Sequence, residues 1–567
     1  MRAFDGEYLK GVLTMMGLLP ASSGGPGNDA KSADRIKRAA RWALNDEGVS
    51  VANYQPAPLQ PVIASLRSEQ EINHWFRPQP LRVDSSFLPL PQKPADEELH
   101  RQLGTLKEAL ARYQNNEVKL LTALEFHGST LAANERHPTI PLFDFIKVTS
   151  ALAHCLDKGD GRVVLMGGNL SGIQSYLYEI ISKRASKLLK GRSFYLHLLS
   201  DTVAGWAVEN FDLTPCHVLY NSGGGFYVLL PFHERLIGEL EDFRKEVSEH
   251  LFKTHHLSLF FDIEWSDPFD ETKPLALVWK ELLSRLNSAK YRRLSNNPGL
   301  LKETFASHVE KGGEELRDVI TNEELIAEHK VNIGSPESPI WVSPYTKGQI
   351  EQLGRRLREA KYWISTDLEF EGNLSGKAFK DAFNRWHLLT AKPPFELNLP
   401  EDAIVRKINV PIEDLPFVFY GGNDTPVFDK ESWEQYEDKD EFGVGWPKPF
   451  DCLAEGARLD RLGVLRMDVD NLGSIFSELG NEASLVRYAA LSRALDWFFK
   501  GYLNTIREES EGFKNRTIII YSGGDDLFII GRWLEVFDFA VAIRQAFEKW
   551  TCDALSISGG MVIVPSK

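Results

Sequence analysis

Between Leu462 and Val564 the spacing of apolar residues switches between short runs and helical periods, and these switches predict an order of elements. Apolar runs rich in β-branched residues predict strands, and apolar positions recurring every three or four residues predict helices. The predicted order is strand, helix, strand, strand, helix, strand, which is a ferredoxin-like arrangement. The predicted elements are a strand at Leu462–Met467, a helix from about Ser484 to Glu508, strands at Thr517–Tyr521 and Leu527–Ile530, a helix at Leu534–Trp550 and a strand at Leu555–Val564.

The same pattern occurs a second time, earlier in the chain. The segment Cys216–Pro231 (CHVLYNSGGGFYVLLP) predicts a strand, a Ser-Gly-Gly turn and a strand, as does Thr517–Gly531 (TIIIYSGGDDLFIIG). Ser222 aligns with Ser522, 300 positions later, and the upstream strands VVLMGGN and VLRMDVD follow nearly the same offset. Two copies of one unit are therefore predicted. The first copy also contains a predicted helix near Phe232–Leu251 and a predicted last strand near Leu257–Trp265.

The whole chain is predicted to be an α+β protein with two ferredoxin-like (βαββαβ) palm domains separated by a helical domain. Helical spacing over Glu97–Leu124 and Phe143–Cys155 predicts packing helices ahead of the first copy. The predicted domains are a mostly helical N-terminal region at 1–135, palm 1 at 136–275, a helical linker domain at 276–410 and palm 2 at 411–567.

Acidic residues mark one end of the predicted palm 2 sheet. Asp468 ends an apolar strand, and Asp525 and Asp526 follow 57 and 58 residues later on a hairpin turn. Clustered carboxylates repel one another, so they require a bound cation or raised pKa values. Magnesium prefers oxygen ligands and is usually completed by substrate phosphates. The acids therefore predict Mg²⁺ (or Mn²⁺) and a phosphate-bearing substrate, with paired ions activating a hydroxyl and stabilising departing pyrophosphate.

The residues around these acids suit a nucleotide. Glycine permits a positive φ and a close approach of the backbone to a ligand, which fits Gly523 and Gly524. The amides of Asn471, Leu472 and Gly473, leading toward a helix, are predicted to cradle a triphosphate. Alone, a Gly-Gly-Asp-Asp turn is simply a good hairpin turn. The Asp-Val-Asp strand upstream favours a site instead.

The first copy lacks the acids, since Asn169 stands near the position of the first aspartate and Gly225-Phe226 replaces Asp-Asp. Its retained Ser222-Gly223-Gly224 turn fits two readings: it binds a second nucleotide through its backbone, or it is a structural pseudo-repeat.

These motifs resemble those of a known family, the large subunit of type III-A CRISPR effector complexes (the Cas ten family in its Csm form). The matching pieces cover most of 140–567 and comprise Leu170-Ser171-Gly172-Ile173-Gln174, Lys190-Gly191-Arg192-Ser193-Phe194-Tyr195, the Ser222-Gly223-Gly224 turn, the run from Gly463 to Gly473 and the Ser-Gly-Gly-Asp-Asp turn.

The resemblance implies a signalling subunit of an RNA-guided antiviral complex that converts ATP to cyclic oligoadenylates when target RNA is bound. It implies CRISPR RNA, target RNA and other Csm-type subunits as partners, especially the small subunit and the subunit that binds the 5′ end of the CRISPR RNA. By resemblance, metal would be bound by Asp468, Val469, Asp525 and Asp526, and the nucleotide would lie against Ser522, Gly523 and Gly524.

Three departures from the family pattern carry expectations of their own. No His-Asp dipeptide occurs, so no HD nuclease activity is expected. The middle segment has no cysteines and the four cysteines of the chain are scattered singly, so no zinc is expected. The chain ends at Lys567, where the family usually continues, which predicts a truncated or split subunit.

Composition narrows the alternatives. A net charge of −15 argues against a surface that binds nucleic acid throughout, so RNA contacts are expected to be local. One basic patch, Lys290, Arg292 and Arg293 beside Tyr291, fits a solvated helix face better than an RNA site.

The absence of a long apolar run predicts a cytoplasmic protein with no membrane contact. Two other functions stay open: a non-catalytic RNA-binding and subunit-binding scaffold, and a diguanylate-type cyclase.

Overall fold

The structure is a computed structural model. It describes residues 6–20, 30–66, 71–178, 185–295, 297–304, 316–322, 325, 330–436, 442–456, 459–473 and 479–566.

The N-terminal region is built mainly from helices that pack against one central helix, α5, whose residues are almost all buried. Helix α4 begins where the side chain of Asn116 accepts a hydrogen bond from the Lys119 amide (2.9 Å), which satisfies one of the free amides of its first turn. A three-stranded sheet, β1-β2-β3, lies beside these helices. The elements are α1 (Glu7–Met15), α2 (Ala30–Leu44), β1 (Ala57–Pro58), α3 (Asp96–Tyr113), α4 (Glu117–Gly128), β2 (Leu131–Asn134), β3 (His137–Pro141) and α5 (Leu142–Lys158).

Palm 1 is a four-stranded antiparallel sheet with the strand order β5-β6-β4-β7. This order, with helices in both crossovers, is that of the ferredoxin-like fold. The predicted helix and final strand of this copy are confirmed with shifted ends. The elements are β4 (Val163–Ser171), α6 (Ile173–Tyr178), α7 (Ala185–Asn210), β5 (Val218–Ser222), β6 (Gly225–Pro231), α8 (Leu236–His255) and β7 (Phe260–Trp265).

The segment between the palms was predicted to be helical over 276–410, and this is wrong for its second half. Helices α9 (Leu275–Ala289), α10 (Pro298–Thr304), α11 (Pro344–Gly348) and α12 (Arg355–Leu357) occur first, with a π-helical turn at Gln349–Gly354. A mainly antiparallel sheet of order β11-β12-β10-β13-β14 follows. Its strands have at most five residues, too short to show a period of two, although runs such as YWIST and WHLLT are rich in strand formers. The strands of this sheet are β10 (Tyr362–Thr366), β11 (Phe379–Lys380), β12 (Trp386–Thr390), β13 (Ile404–Ile408) and β14 (Phe417–Val418). Ahead of them, β8 (Val331–Asn332) and β9 (Trp341–Val342) pair with each other in a separate two-stranded sheet.

Palm 2 repeats the arrangement of palm 1, with the strand order β16-β17-β15-β18. The predicted elements are confirmed, and the long helix continues from α15 through a π-helical turn at Trp497–Tyr502 into α16. Two palm domains in an α+β chain are therefore confirmed. The elements are α13 (Lys430–Gln435), α14 (Phe450–Ala454), β15 (Arg461–Val469), α15 (Leu485–Asp496), α16 (Leu503–Glu508), α17 (Glu511–Arg516), β16 (Thr517–Gly523), β17 (Asp526–Arg532), α18 (Trp533–Thr551) and β18 (Ile557–Pro565).

Shared cores join the domains. One hydrophobic cluster contains side chains of the N-terminal helices, α9 and the helix-covered face of palm 2, and a second contains palm 1 and the middle sheet. Trp279 of α9 stacks face to face on Tyr488 of α15, with ring centroids 4.2 Å apart. Buried Asp144 of α5 pairs with Arg493 of α15. Helices α9 and α5 also pack on strands of palm 1, so these contacts connect the two palms.

Candidate active site between the two palm domains

The palm 2 sheet brings the predicted acids together at one end. Asp468 on β15 lies directly opposite Asp526 on β17 in the antiparallel register. Asp525 occupies the two-residue turn between β16 and β17, and its carbonyl oxygen accepts a hydrogen bond from the Val469 amide (3.0 Å). Gly524, the other turn residue, has φ +69°, a value that glycine adopts without strain. Three carboxylates therefore lie at the same end of the sheet.

The carboxylates perturb one another electrostatically. Burial raises the pKa of Asp525 to about 6, with further contributions from the charges of Asp468 and Asp526. Burial also raises the pKa of Asp526, although the Arg466 guanidinium, 2.9 Å from its carboxylate, opposes that rise. A raised pKa in a carboxylate cluster is a common sign of a site that is completed by a cation.

Palm 1 supplies the opposite wall of this site. The Gly524 amide donates a hydrogen bond to the hydroxyl of Ser222 in palm 1 (3.2 Å). That hydroxyl in turn donates to the carboxylate of Asp496 on α15, which forms an ion pair with buried Lys500 (2.9 Å). A Cβ added to Gly223 would lie 3.4 Å from the Gly524 Cα, so the two turns are in contact.

Four residues that the sequence reasoning missed belong to this neighbourhood. Asp496 and Lys500 lie one helical turn apart, a spacing visible in the sequence but shared with many surface pairs. Arg466 lies on β15 two residues before Asp468, and its guanidinium is 2.8 Å from the Gln174 carbonyl in the amide orientation that satisfies both groups. Gln174, on α6, brings a second element of palm 1 to the palm 2 site.

Other predicted nucleotide contacts are placed less directly. The side chain of Ser522 is buried and donates to the Phe499 carbonyl oxygen (2.6 Å), which leaves only its backbone for a ligand. The side chain of Val469 is buried as well, so its main-chain oxygen is its only group able to bind a metal. Asn471 and Gly473 are exposed and Leu472 is half-buried, beyond the end of β15. The segment that follows them, 474–478, lies outside the described residues.

The register of palm 1 corrects the alignment of the repeat. Ser222 pairs with Gly225 as Gly523 pairs with Asp526, so Ser222 corresponds to Gly523 and not to Ser522. Asn169 lies opposite Gly225, as Asp468 lies opposite Asp526, so Asn169 takes the place of the first aspartate. The alignment of Ser222 with Ser522 was based on residue identity and is one residue out of register. In a strand, a shift of one residue moves each side chain to the opposite face of the sheet.

The turn of palm 1 is less suited to an acidic residue than the turn of palm 2 is. Gly224 occupies the place of Asp525, since its carbonyl oxygen accepts from the Leu170 amide (2.8 Å) as Asp525 accepts from Val469. Gly224 has φ +81°, and a Cβ there would lie 2.7 Å from Ile173 Cδ1. An aspartate at this position would be strained by the positive φ and would displace the terminal methyl group of Ile173.

The metal-binding capacity of the site is limited. Within the described residues, no group of three or more His, Cys, Asp or Glu side chains is arranged to hold an ion. Magnesium commonly takes one or two carboxylates and completes its shell with water and substrate phosphates. The facing pair Asp468 and Asp526, with Asp525 beside it, meets that lower requirement. Among the described helices, none has the length and apolar character needed to cross a membrane.

Two family models match the palm regions of the chain. Residues 162–307 match domain B of the Csm1 subunit, and residues 461–567 match the second palm domain of Cas10/Cmr2. A "CRISPR system single-strand-specific deoxyribonuclease Cas10/Csm1 (subtype III-A)" from Methanocaldococcus jannaschii is 28% identical over 514 residues, covering 76% of this chain and 61% of the relative. The protein of the same description from Streptococcus thermophilus is 24% identical, covering 92% and 69%. The chain is a Cas10/Csm1 homologue.

Solved structures agree with this Cas10/Csm1 assignment at the level of the fold. A Csm1-Csm4 subcomplex of the type III-A interference complex has a TM-score of 0.70 at 21% identity, covering 94% of this chain and 69% of the other. A Csm1-Csm4 cassette in complex with AMPPNP has a TM-score of 0.67 at 21% identity, covering 99% and 80%. The chain spans about 60% of the length of relatives such as the M. jannaschii Cas10/Csm1 protein.

Proposed function

We propose that this Cas10/Csm1 homologue converts ATP to cyclic oligoadenylates at the junction of its two palm domains, as the signalling subunit of a type III-A complex. The observation that carries the proposal is the contact between the turns, in which the Gly524 amide is held by Ser222 of palm 1 beside the paired Asp468 and Asp526. A polymerising site needs a donor triphosphate and an acceptor hydroxyl together, and two abutting palms offer a wall for each.

The proposed roles follow the chemistry of each group. Asp468, Asp525 and Asp526, with the main-chain oxygen of Val469, would hold Mg²⁺ or Mn²⁺, which when bound polarises phosphate oxygens and lowers the pKa of an attacking hydroxyl. Arg466 forms an ion pair with Asp526 and so neutralises part of its charge. The main chains of the two glycine turns would lie against nucleotide, because residues without side chains allow close approach. The proposed backbone contacts come from Ser522, Gly523, Gly524, Asn471, Leu472 and Gly473 on the palm 2 side and from Ser222, Gly223 and Gly224 on the palm 1 side.

Similar structures support ATP as the substrate. Csm1-Csm4 cassettes of the same fold have been solved in complex with one ATP, with pppApA and with cA4. We infer that this chain likewise assembles with a Csm4-type subunit and, within the complex, with CRISPR RNA, target RNA and the small subunit.

The test is a product assay on the assembled complex with Mg²⁺ and labelled ATP or GTP, with and without target RNA. The proposal expects cyclic oligoadenylate from ATP only when target RNA is present, and nothing comparable from GTP. A cyclic dinucleotide of guanine would favour the diguanylate-type cyclase. An absence of product from both nucleotides, with RNA binding intact, would leave the scaffold function.

A further inference from the structure

A cavity of about 330 Å³ lies at the outer edge of the palm 1 sheet, away from the palm junction. It is bounded by the edge strand β7, by α8, and by the second half of α9 with the loop that follows it. Its lining includes Arg244, Lys245, Asp262, Glu264 and Arg292. The strand order places β7 three strand spacings from β5, which is about 14 Å from the strand that ends in Ser222. Asp262 of β7 lies opposite Asn169 of β4, so a ligand here would lie beside palm 1 but three strands away from the Ser222 turn.

The inner wall of this cavity holds an incompletely satisfied carboxylate. Asp262 is only 1% exposed, and one of its oxygens accepts a hydrogen bond from the Ser171 hydroxyl. Its other oxygen, Oδ1, has no hydrogen-bond partner among the described residues. Leaving a buried acceptor unsatisfied costs about 1–3 kcal/mol. This oxygen has almost no accessible surface, so a ligand hydroxyl or amino group satisfies it only when the Asp262 side chain turns toward the cavity.

The mouth of the cavity is basic. Lys245 and Arg292 are exposed, and neither forms an ion pair with any carboxylate that the structure describes. Deeper in, Arg244 lies 3.4 Å from Glu264, while its Nε atom has no described partner. Converging lysine and arginine side chains are typical of phosphate binding.

We propose that this cavity binds one nucleotide unit, with its phosphate at Lys245 and Arg292 and a ribose hydroxyl or base amino group donating to Asp262. The volume is near the lower end of the range of about 300–1,000 Å³ typical of small-molecule sites, which fits one unit rather than two. The unit comes either from a free nucleotide or from the phosphorylated end of an RNA. Tyr291, 91% exposed and lining an adjoining hollow, is available to stack on the next base if the ligand is an RNA.

The test is hydrogen exchange measured by mass spectrometry on the full chain. AMP is the first probe because it lacks the triphosphate needed for polymerisation. We expect AMP to slow exchange in 260–265 and 284–292, and the Lys245→Gln/Arg292→Gln variant to weaken that effect about tenfold or more, since hydrogen bonds to charged groups are lost. Lys253→Gln, an exposed lysine on the same helix α8 but outside the cavity lining, is the matched control and should leave it unchanged.

Further probes separate the sources of the ligand. If a 5′-phosphorylated RNA protects these segments and Tyr291→Ala weakens only that protection, the ligand is an RNA end. If AMP protects these segments equally in wild type and in Tyr291→Ala, and the RNA does not protect them, the ligand is a free nucleotide. The proposal is wrong if both probes leave 260–265 and 284–292 unprotected, if the double variant behaves like wild type, or if inorganic phosphate protects as well as AMP does. Because polymerisation is not required, failure of this assay leaves the proposed cyclase untouched.

Discussion

Asp525→Asn is expected to stabilise the metal-free chain, and more so at high pH than at low pH. The pKa of Asp525 is about 6 in the folded chain, against 3.8 for an ordinary aspartate. Because the folded value lies above the unfolded one, folding favours the protonated carboxyl. Its contribution to stability is complete below pH 3.8 and is lost as pH rises through 6. Asparagine is neutral throughout and avoids that loss.

The size of the effect follows from the two pKa values. Ionising Asp525 in the folded chain opposes folding by about 3 kcal/mol at pH 8 and by about 1.6 kcal/mol at pH 5. The stability difference between variant and wild type should therefore grow by about 1.4 kcal/mol between these pH values. For a domain of the size of palm 2, that corresponds to about 3–6 °C in melting temperature.

The assay is thermal unfolding of wild type and Asp525→Asn at pH 5 and pH 8 in EDTA, repeated at pH 8 with Mg²⁺. Comparing the two proteins at each pH removes the contributions of all other titrating groups. Mg²⁺ should raise the melting temperature of wild type and have a smaller effect on the variant. If the stability difference between the two proteins stays constant with pH, burial and the neighbouring carboxylates do not raise the pKa of Asp525 as reasoned.

Three further predictions concern the surroundings of the site. Ser222→Ala removes the hydroxyl that joins the two turns and should lower the rate of product formation about tenfold with little change in melting temperature. Ser222→Thr should restore part of the rate, as measured by steady-state kinetics on the complex. Arg466→Gln removes the cation that lowers the pKa of Asp526, so the pH at which Mg²⁺ binding is half-maximal should move upward in a calorimetric titration. Arg493→Ala leaves the carboxylate of Asp144 buried without its partner and should destabilise the chain by about 3–5 kcal/mol in thermal unfolding. A variant as stable as wild type would show that the ion pair contributes nothing to stability.

Periodicity predicted the palms well because their strands and helices each bury one face. The strand predicted at Leu462–Met467 is Arg461–Val469 in the structure, and the helix predicted at Leu534–Trp550 is Trp533–Thr551. The middle sheet was missed because five-residue strands with few exposed positions carry no alternation to detect. The sequence comparison identified the repeat but aligned its two copies by residue identity. In the structure, the alignment follows from the residues that pair across each turn.

The acids of the site were visible in the sequence, and their partners were not. Asp468 and the turn acids are close in space because an antiparallel sheet aligns the end of one strand with the turn of its neighbours. Contacts such as Ser222 with Gly524 or Arg466 with Gln174 depend on how the two palms are placed against each other. That placement is set by packing through α9, α15 and α5, which no local pattern encodes.

The most direct measurement is the amount of cyclic oligoadenylate that the complete complex forms from labelled ATP with Mg²⁺ and target RNA, comparing wild type with Asp525→Ala/Asp526→Ala. Asp538→Ala, an exposed carboxylate on α18 of the same domain, controls for general loss of acidic charge. We expect the double variant to lose more than about 100-fold. Loss of a residue that only supports a metal ligand costs about 10–100-fold, and loss of the ligands themselves should cost at least as much. Wild-type product from the double variant would contradict a catalytic role for the palm 2 carboxylates.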